Sequence, residues 1–501
     1  MRPGDRRRAV SRLRQAGRTA LVLTLSAVIL LGAAGYAAYD AGWLDRILGG
    51  TEAVAPSAIP PPAGVQLPEA APAQPVLDSA AEERSVPAPR RLRAHIAGSL
   101  RDSDYGPHMG VLIEALGRSR DLVRVGGDDL FTPASSLKLL TTAAALELMG
   151  PDHRFRTTVV RPPDEGRGDG GNRENRGNRS ATEDIVLVGG GDPLLTRRPL
   201  GADTYPVPAT LRALARSTAD RLEADGVQRV RLGYDASLFT GPADNPRWED
   251  DYVSGGVVSE ISALWIDEGR IAPGFSTRSA NPARDAAQAF ADELGRAGIV
   301  VRGTPAPETS PRNARTVAAV ESPPLAQIVG HIIEISDNEA AEVLLRHSAI
   351  ASGLPGSSAN GARAVRRTLT NLGINVERAR IYDGSGLSRQ NRVTSDMLVQ
   401  TLQTAASPEN PDLRRVVTGL PVAGFNGSLE SRFVVFGSDG RGLVRAKTGT
   451  LTGVHALVGV TVDRDGAPLV FAAVADKVRP IDTLDARSEL DALTADIATC
   501  C

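Results

Sequence analysis

Lysine is almost missing from this chain. Among 57 basic residues, only Lys138, Lys447 and Lys477 are lysines. The rest are arginine, which does not give up its proton at neutral pH, whereas lysine can. Two of the three retained lysines sit in motif-like words, which suggests two jobs that need an amine. Cysteine is equally scarce, with only Cys500 and Cys501 at the end of the chain. That excludes a disulfide framework and a cysteine-held zinc. Adjacent cysteines rarely bridge each other, so the pair reads as a frayed tail. An excess of either charge is lacking too: 57 basic against 59 acidic residues, net −2. Nothing in that balance points to a nucleic-acid partner. The glycine run Gly189-Gly-Gly-Asp-Pro193 is not followed by Gly-Lys-Ser/Thr. It is therefore no phosphate loop, and no cofactor or metal is implied.

What is present begins with an arginine-rich stretch, residues 1–18, ahead of an uncharged run from Thr19 to Tyr39. A run of about 20 apolar residues can cross a bilayer as one helix. Arginines on its N-terminal side keep that end in the cytoplasm and send the rest across the membrane. The expectation is an uncleaved anchor; a cleaved signal peptide, with small residues around Gly35-Tyr36-Ala37, is the alternative. Residues 40–90 are rich in Ala and Pro and read as a semi-extended stalk.

Folded sequence is expected from about Arg91. Residues 110–117 and 121–125 read as a hairpin, and 137–149 as a buried helix closed by Gly150-Pro151. A Gly/Arg/Asn segment, 166–180, reads as a disordered loop. Strand patterns cover 184–188 and 299–302, with amphipathic helices over 208–225 and 281–298. One helical region runs from Leu325 to Leu345, and another helix starts at Thr394. Strand patterns at 443–447, 454–462 and 468–474 make an antiparallel meander. Ala486, Leu490, Leu493 and Ile497 mark one face of a closing helix.

The chemistry lies in three short words. Ser135-Ser-Leu-Lys138 puts a hydroxyl and an amine three apart at a helix start, on one face. A serine is a poor nucleophile until a base takes its proton. A buried lysine, shifted towards neutrality by dehydration and a neighbouring cation, can be that base. Serine is common, so this word alone is weak. Lys447-Thr448-Gly449 is rarer and stands at the end of an expected strand. Such a strand can lay its backbone along a peptide, while lysine and threonine grip a carboxylate. Ser-x-Asn occurs three times, at Ser279, Ser336 and Ser358. The first precedes a proline and the third lies in a Gly/Ser loop, so both read as turns. Ser336-Asp337-Asn338 interrupts an apolar helical region, where polar groups need partners such as a site supplies.

Ser-x-x-Lys, Ser-Asp-Asn and Lys-Thr-Gly, in this order, form the set of the penicillin-recognising serine enzymes. The spacing of about 200 residues between the first two words implies inserted material. Together with Gly189–Pro193, Ser322-Pro-Pro-Leu325, Ser336–Glu342, Asp383-Gly-Ser-Gly-Leu-Ser388 and Ala446–Leu451, the chain resembles the penicillin-binding protein 4 type D-alanyl-D-alanine carboxypeptidases/endopeptidases from about residue 91 onwards.

The resemblance implies an α/β (α+β) β-lactamase/transpeptidase-like domain, 91–155 and 316–501, whose antiparallel sheet is flanked by helices. An inserted accessory region would span 156–315. It implies Ser135 as nucleophile, Lys138 as base, Ser336 with Lys447 as proton relay, and Asn338 on the acyl-side amide. Thr448, Gly449 and Thr450 would bind substrate. Peptidoglycan stem peptides are the implied substrate and β-lactams the implied inhibitors. A β-lactamase or esterase on this scaffold, and a non-catalytic cell-wall-binding protein, are the alternatives. Asn426-Gly427-Ser428 stands where the family would lead one to expect Asp-Gly-Thr.

Overall fold

Alternation of side chains in the strands near the two ends of the folded region decides the architecture. In a computed structural model that describes residues 86–101, 104–118, 120–163, 182–272 and 274–501, these strands form one antiparallel sheet. They are β1 (Met109–Ala115), β2 (Asp121–Val125), β9 (Arg445–Leu451), β10 (Val454–Val462) and β11 (Pro468–Ala475), in the order β2-β1-β11-β10-β9. Successive side chains point to opposite faces. Val111, Ile113, Leu469, Phe471 and Ala473 enter one core, and Leu112, Val470, Ala472 and Val474 the other. The sheet is therefore apolar on both sides, and helices cover both.

On one face lie α1 (Pro89–His95) and the closing helix α9 (Thr483–Thr499). The expected face of α9 is buried as read. Two differences from the sequence reading fall here. The stalk was expected to run to residue 90, but Pro89 starts α1 in the position where a missing N–H costs nothing, and Leu92 anchors the helix in the core. The tail is not frayed: Cys500 is buried in this core.

The other face packs against α2 (Leu137–Met149), α5 (Leu325–Ile335), α6 (Asn338–Ala351), α7 (Ser358–Asn371) and α8 (Ser395–Ala406). Helix α2 is Ala/Leu-rich, buried over its first ten residues, and stopped by Gly150 at φ +81°. The single helical region expected over 325–345 is two helices. Ser336 adopts φ +66°, ψ +38°, which breaks α5, and Asp337 restarts the chain as a helix cap by accepting from the Ala340 N–H at 2.9 Å. Ser358-Ala359-Asn360, read as loop, opens α7, with Ser357 capping it.

Between the two halves of this layer the chain builds a second sheet in the order β6-β5-β4-β3-β8. Its strands are β3 (Arg156–Arg161), β4 (Thr182–Val188), β5 (Arg229–Asp235), β6 (Val300–Val301) and β8 (Arg315–Glu321), with β7 (Ala306–Pro307) paired to β5. Helices α3 (Leu211–Ala224) and α4 (Pro282–Arg296) pack with it around a core of its own. Strand β8 straddles the expected boundary at 316 and pairs with β3, so the second sheet reaches Glu321.

The expected tail (1–18), span (19–39), nearly all of the stalk and the 166–180 loop lie outside the described residues. Among the described residues, no helix is long and apolar enough to cross a membrane.

Candidate active site

Ser135 sits in a single 3-10 turn, Ala134–Ser136, that feeds directly into α2. One turn later Lys138 is completely buried, while Ser135 keeps part of its surface open. The Lys138 ammonium position donates three ways: to Ser135 Oγ at 3.0 Å, to Asn338 Oδ1 at 2.8 Å and to the Ser385 carbonyl at 2.7 Å. Burial pulls its pKa down to about 8, against the opposing pull of Asp337, Asp383, Glu342 and Glu339. A usable fraction of neutral amine therefore stands beside the serine near neutral pH.

The second amine lies across the site. Lys447 is carried by β9, the last strand of its sheet, and is fully buried. It donates to Ser336 Oγ at 2.8 Å and to the Thr448 carbonyl at 3.0 Å. Burial holds its pKa well below the usual lysine value, and Lys138 lowers it further. The Lys-Thr-Gly word is not at a strand end, as the sequence suggested, but within β9, which runs on to Leu451. Its register sets Thr448 opposite Leu457 and Gly449 opposite Ala456. Gly449 is glycine because a Cβ there would lie 2.7 Å from the Pro133 carbonyl, just ahead of the nucleophile turn. Thr450 is exposed on the same strand.

Thus two hydrogen-bonded groups, Ser135–Lys138–Asn338 and Ser336–Lys447, are joined through the Ser336–Asn338 turn, with Thr448 next to Lys447. Asn338 gives one N–H to the Val257 carbonyl at 3.0 Å and keeps a second for a ligand. The departure at Asn426–Ser428 touches the site as well: Thr448 Oγ1 donates to Ser428 Oγ at 3.0 Å. Asn426 instead braces the turn, reaching Glu334 at 2.7 Å. Of the tryptophans, Trp265 is core and Trp248 is nearly so. Lys477 is exposed, and Asn281 caps α4.

Two buried acids were missed as functional residues. Glu342 Oε1 accepts from the Gly384 and Ser385 N–H groups and the Ser385 hydroxyl at 2.9, 2.8 and 2.6 Å. Asp383 accepts from Gly386 N–H, Ser388 N–H, Asn391 and Trp248. Together they freeze the 383–388 loop so that its Ser385 carbonyl faces Lys138. The signal was available, since both acids lie in words already noticed, but nothing in the sequence said that those words meet.

A dehydrated amine hydrogen-bonded to an open serine serves acyl transfer, and this fold and site together define a serine peptidase of the Ser-x-x-Lys kind. The chain belongs to the D-Ala-D-Ala carboxypeptidase 3 (S13) family, whose model matches residues 92–276 and 272–497. It is by that membership a serine-type D-Ala-D-Ala carboxypeptidase. A carboxypeptidase of Mycobacterium tuberculosis is 34% identical over 448 residues, covering 87% of this chain and 91% of the relative. The D-alanyl-D-alanine carboxypeptidase of an Actinomadura species is 28% identical, covering 76% of this chain and 80% of the relative. Penicillin-binding protein 4 of Haemophilus influenzae has the same fold, with TM-score 0.64 at 19% identity, over 79% of this chain and 99% of that one. That protein has also been solved in complex with a β-lactam.

Proposed function

We propose that Ser135 attacks the carbonyl of the penultimate D-alanine of a peptidoglycan stem peptide while Lys138 takes its proton. The observation that carries this is the fully buried Lys138 amine 3.0 Å from Ser135 Oγ. As the Oγ–C bond forms, the carbonyl oxygen takes up negative charge. Backbone N–H groups of Ser135 and Thr450 receive it, each donor contributing about 3 kcal/mol. The C–N bond to the terminal D-alanine then breaks. Ser336, backed by Lys447, passes a proton to the leaving amine. Lys447 and Thr448 hold the terminal carboxylate, and Gly449 lets the nucleophile turn lie close against β9. The free N–H of Asn338 binds the acyl-side amide. Water adds to the ester, and Ser135 is released. A D-Ala–diaminopimelate cross-link presents the same bond, so endopeptidase action belongs to the same proposal.

β-Lactams place a strained amide where the D-Ala-D-Ala bond lies and should acylate Ser135. Mass spectrometry after penicillin treatment should show one adduct on the wild type and none on Ser135→Ala. Labelling of that variant would overturn the assignment, and rapid turnover of a chromogenic cephalosporin would favour a β-lactamase instead. Incubation with a pentapeptide and with a cross-linked muropeptide identifies which bond is cut.

The proposal extends to organisation and place. Residues 89–155 and 322–501 form the catalytic part, 156–321 the accessory part. Residues 19–39 hold the chain in the cell membrane, and the Ala/Pro-rich 40–88 carries the enzyme out towards the wall. The arginines of residues 1–18 and the uncharged run after them support this reading.

A further inference from the structure

Behind the Ser336–Asn338 turn, three side chains from separate segments converge: Glu268, His331 on α5, and Asp337. Each directs one ligand-type atom into a common space, and the three atoms lie within 4.8 Å of one another. Asp337 divides its oxygens between two jobs. Oδ1 caps α6 through the Ala340 N–H. Oδ2 is turned into the cluster, 3.3 Å from His331 Nε2, on a side chain only 2% exposed. Neither Oδ2 nor His331 Nε2 makes an aligned hydrogen bond. A carboxylate oxygen buried without a partner is costly, and native structures rarely leave one so.

The surrounding charges do not complete it. Arg270 donates to Glu268 at 2.6 Å, and Arg278 donates to Glu339 at 2.7 Å. Each arginine is thus committed to a carboxylate other than Asp337, which lies beside His331 and Glu268.

A cavity of about 200 Å³ lined by Leu200, Tyr205, Pro206, Glu268 and His331 opens onto it. An ion and a water could therefore reach Glu268 and His331 from outside, with Asp337 buried beside them.

We propose that Glu268, His331 and Asp337 form a site for a divalent transition cation of zinc's kind. One imidazole and two carboxylates suit zinc, with a fourth position left to water on the cavity side. Magnesium and calcium favour all-oxygen sets, which the imidazole spoils. In a tetrahedral set, bonds of about 2.0–2.2 Å put ligand atoms about 3.3–3.6 Å apart, so side chains whose ligand atoms lie within 4.8 Å of one another draw in by up to about 1.5 Å as the ion binds. The ion would sit beside the catalytic machinery, not in it. Its effect is to tie α5 and the Glu268 loop to the residue between Ser336 and Asn338, pinning the left-handed turn that breaks the helix.

The test is zinc binding to the tag-free full-length protein in detergent, by equilibrium dialysis and by thermal unfolding. One equivalent should bind and raise Tm. Glu268→Gln and His331→Ala should each weaken binding by about tenfold or more and abolish the Tm rise. The double variant Cys500→Ser/Cys501→Ser, which removes both thiols, should leave binding unchanged. Penicillin labelling of each variant reports that it is folded. No bound equivalent, equal binding by both site variants, or loss of binding in the cysteine-free variant would each overturn the site.

Discussion

Lys138 and Lys447 show why arginine serves almost everywhere in this chain except at two positions. Both are fully buried, and both gain from a form that arginine does not adopt, the neutral amine. Lys138→Arg should lower the second-order rate of penicillin acylation by about 10²–10⁴-fold, the usual contribution of a positioned base. Lys447→Arg should fail as well, through the proton relay and the carboxylate grip. The pH profile carries the same argument with a definite sign. Only the neutral Lys138 amine can accept the proton, and burial holds its pKa to about 8. Acylation by the wild type should therefore rise with pH and level off above about 8. A rate independent of pH between 6 and 9 would remove Lys138 from the role of base.

Two local backbone features at the element scale hold these side chains in place. One is the left-handed Ser336, which turns a run that reads as one helix into two and brings Ser336 to Lys447 and Asn338 to Lys138. The other is the close approach of the 383–388 loop to the nucleophile turn. Gly386, at φ +86°, leaves no room for a side chain: a Cβ there would lie 1.9 Å from the Ala134 carbonyl. Gly386→Ala should cost about 1–3 kcal/mol, from overpacking and the positive φ together. It should also slow acylation more than unfolding explains, because the shift falls on Ser135. Urea unfolding alongside a penicillin-labelling time course separates the two effects. A variant with wild-type acylation and stability would mean that the loop is not tightly held.

The whole molecule sets its site where one sheet edge, two helix starts and one loop converge, and β1 and β11, far apart in the chain, pair along their full length to bring this about. Its proposed place in the cell is tested at this scale. The full chain should pellet with membranes and resist a carbonate wash, and removal of residues 19–39 should free a penicillin-binding protein. Recovery of a soluble chain shortened at its N-terminus would point to a cleaved leader instead. Much was legible beforehand: the three motif words, the meander, α2 and the face of α9 all rest on short-range periodicity, which a sequence displays directly. The second sheet was largely illegible, because β3 and β8 pair across more than a hundred residues and neither strand shows a clean alternation. Glu342 and Asp383 look like ordinary surface acids until folding buries them around a loop that faces Lys138. By itself, the sequence determined which groups are chemically available: one Ser-x-x-Lys, one strand-borne lysine, and almost no other amine. Only the tertiary structure decided their state, because depressed lysine pKa values, an unpartnered Asp337 oxygen and a serine within 3.0 Å of an amine come from burial and convergence, which no stretch of chain carries alone.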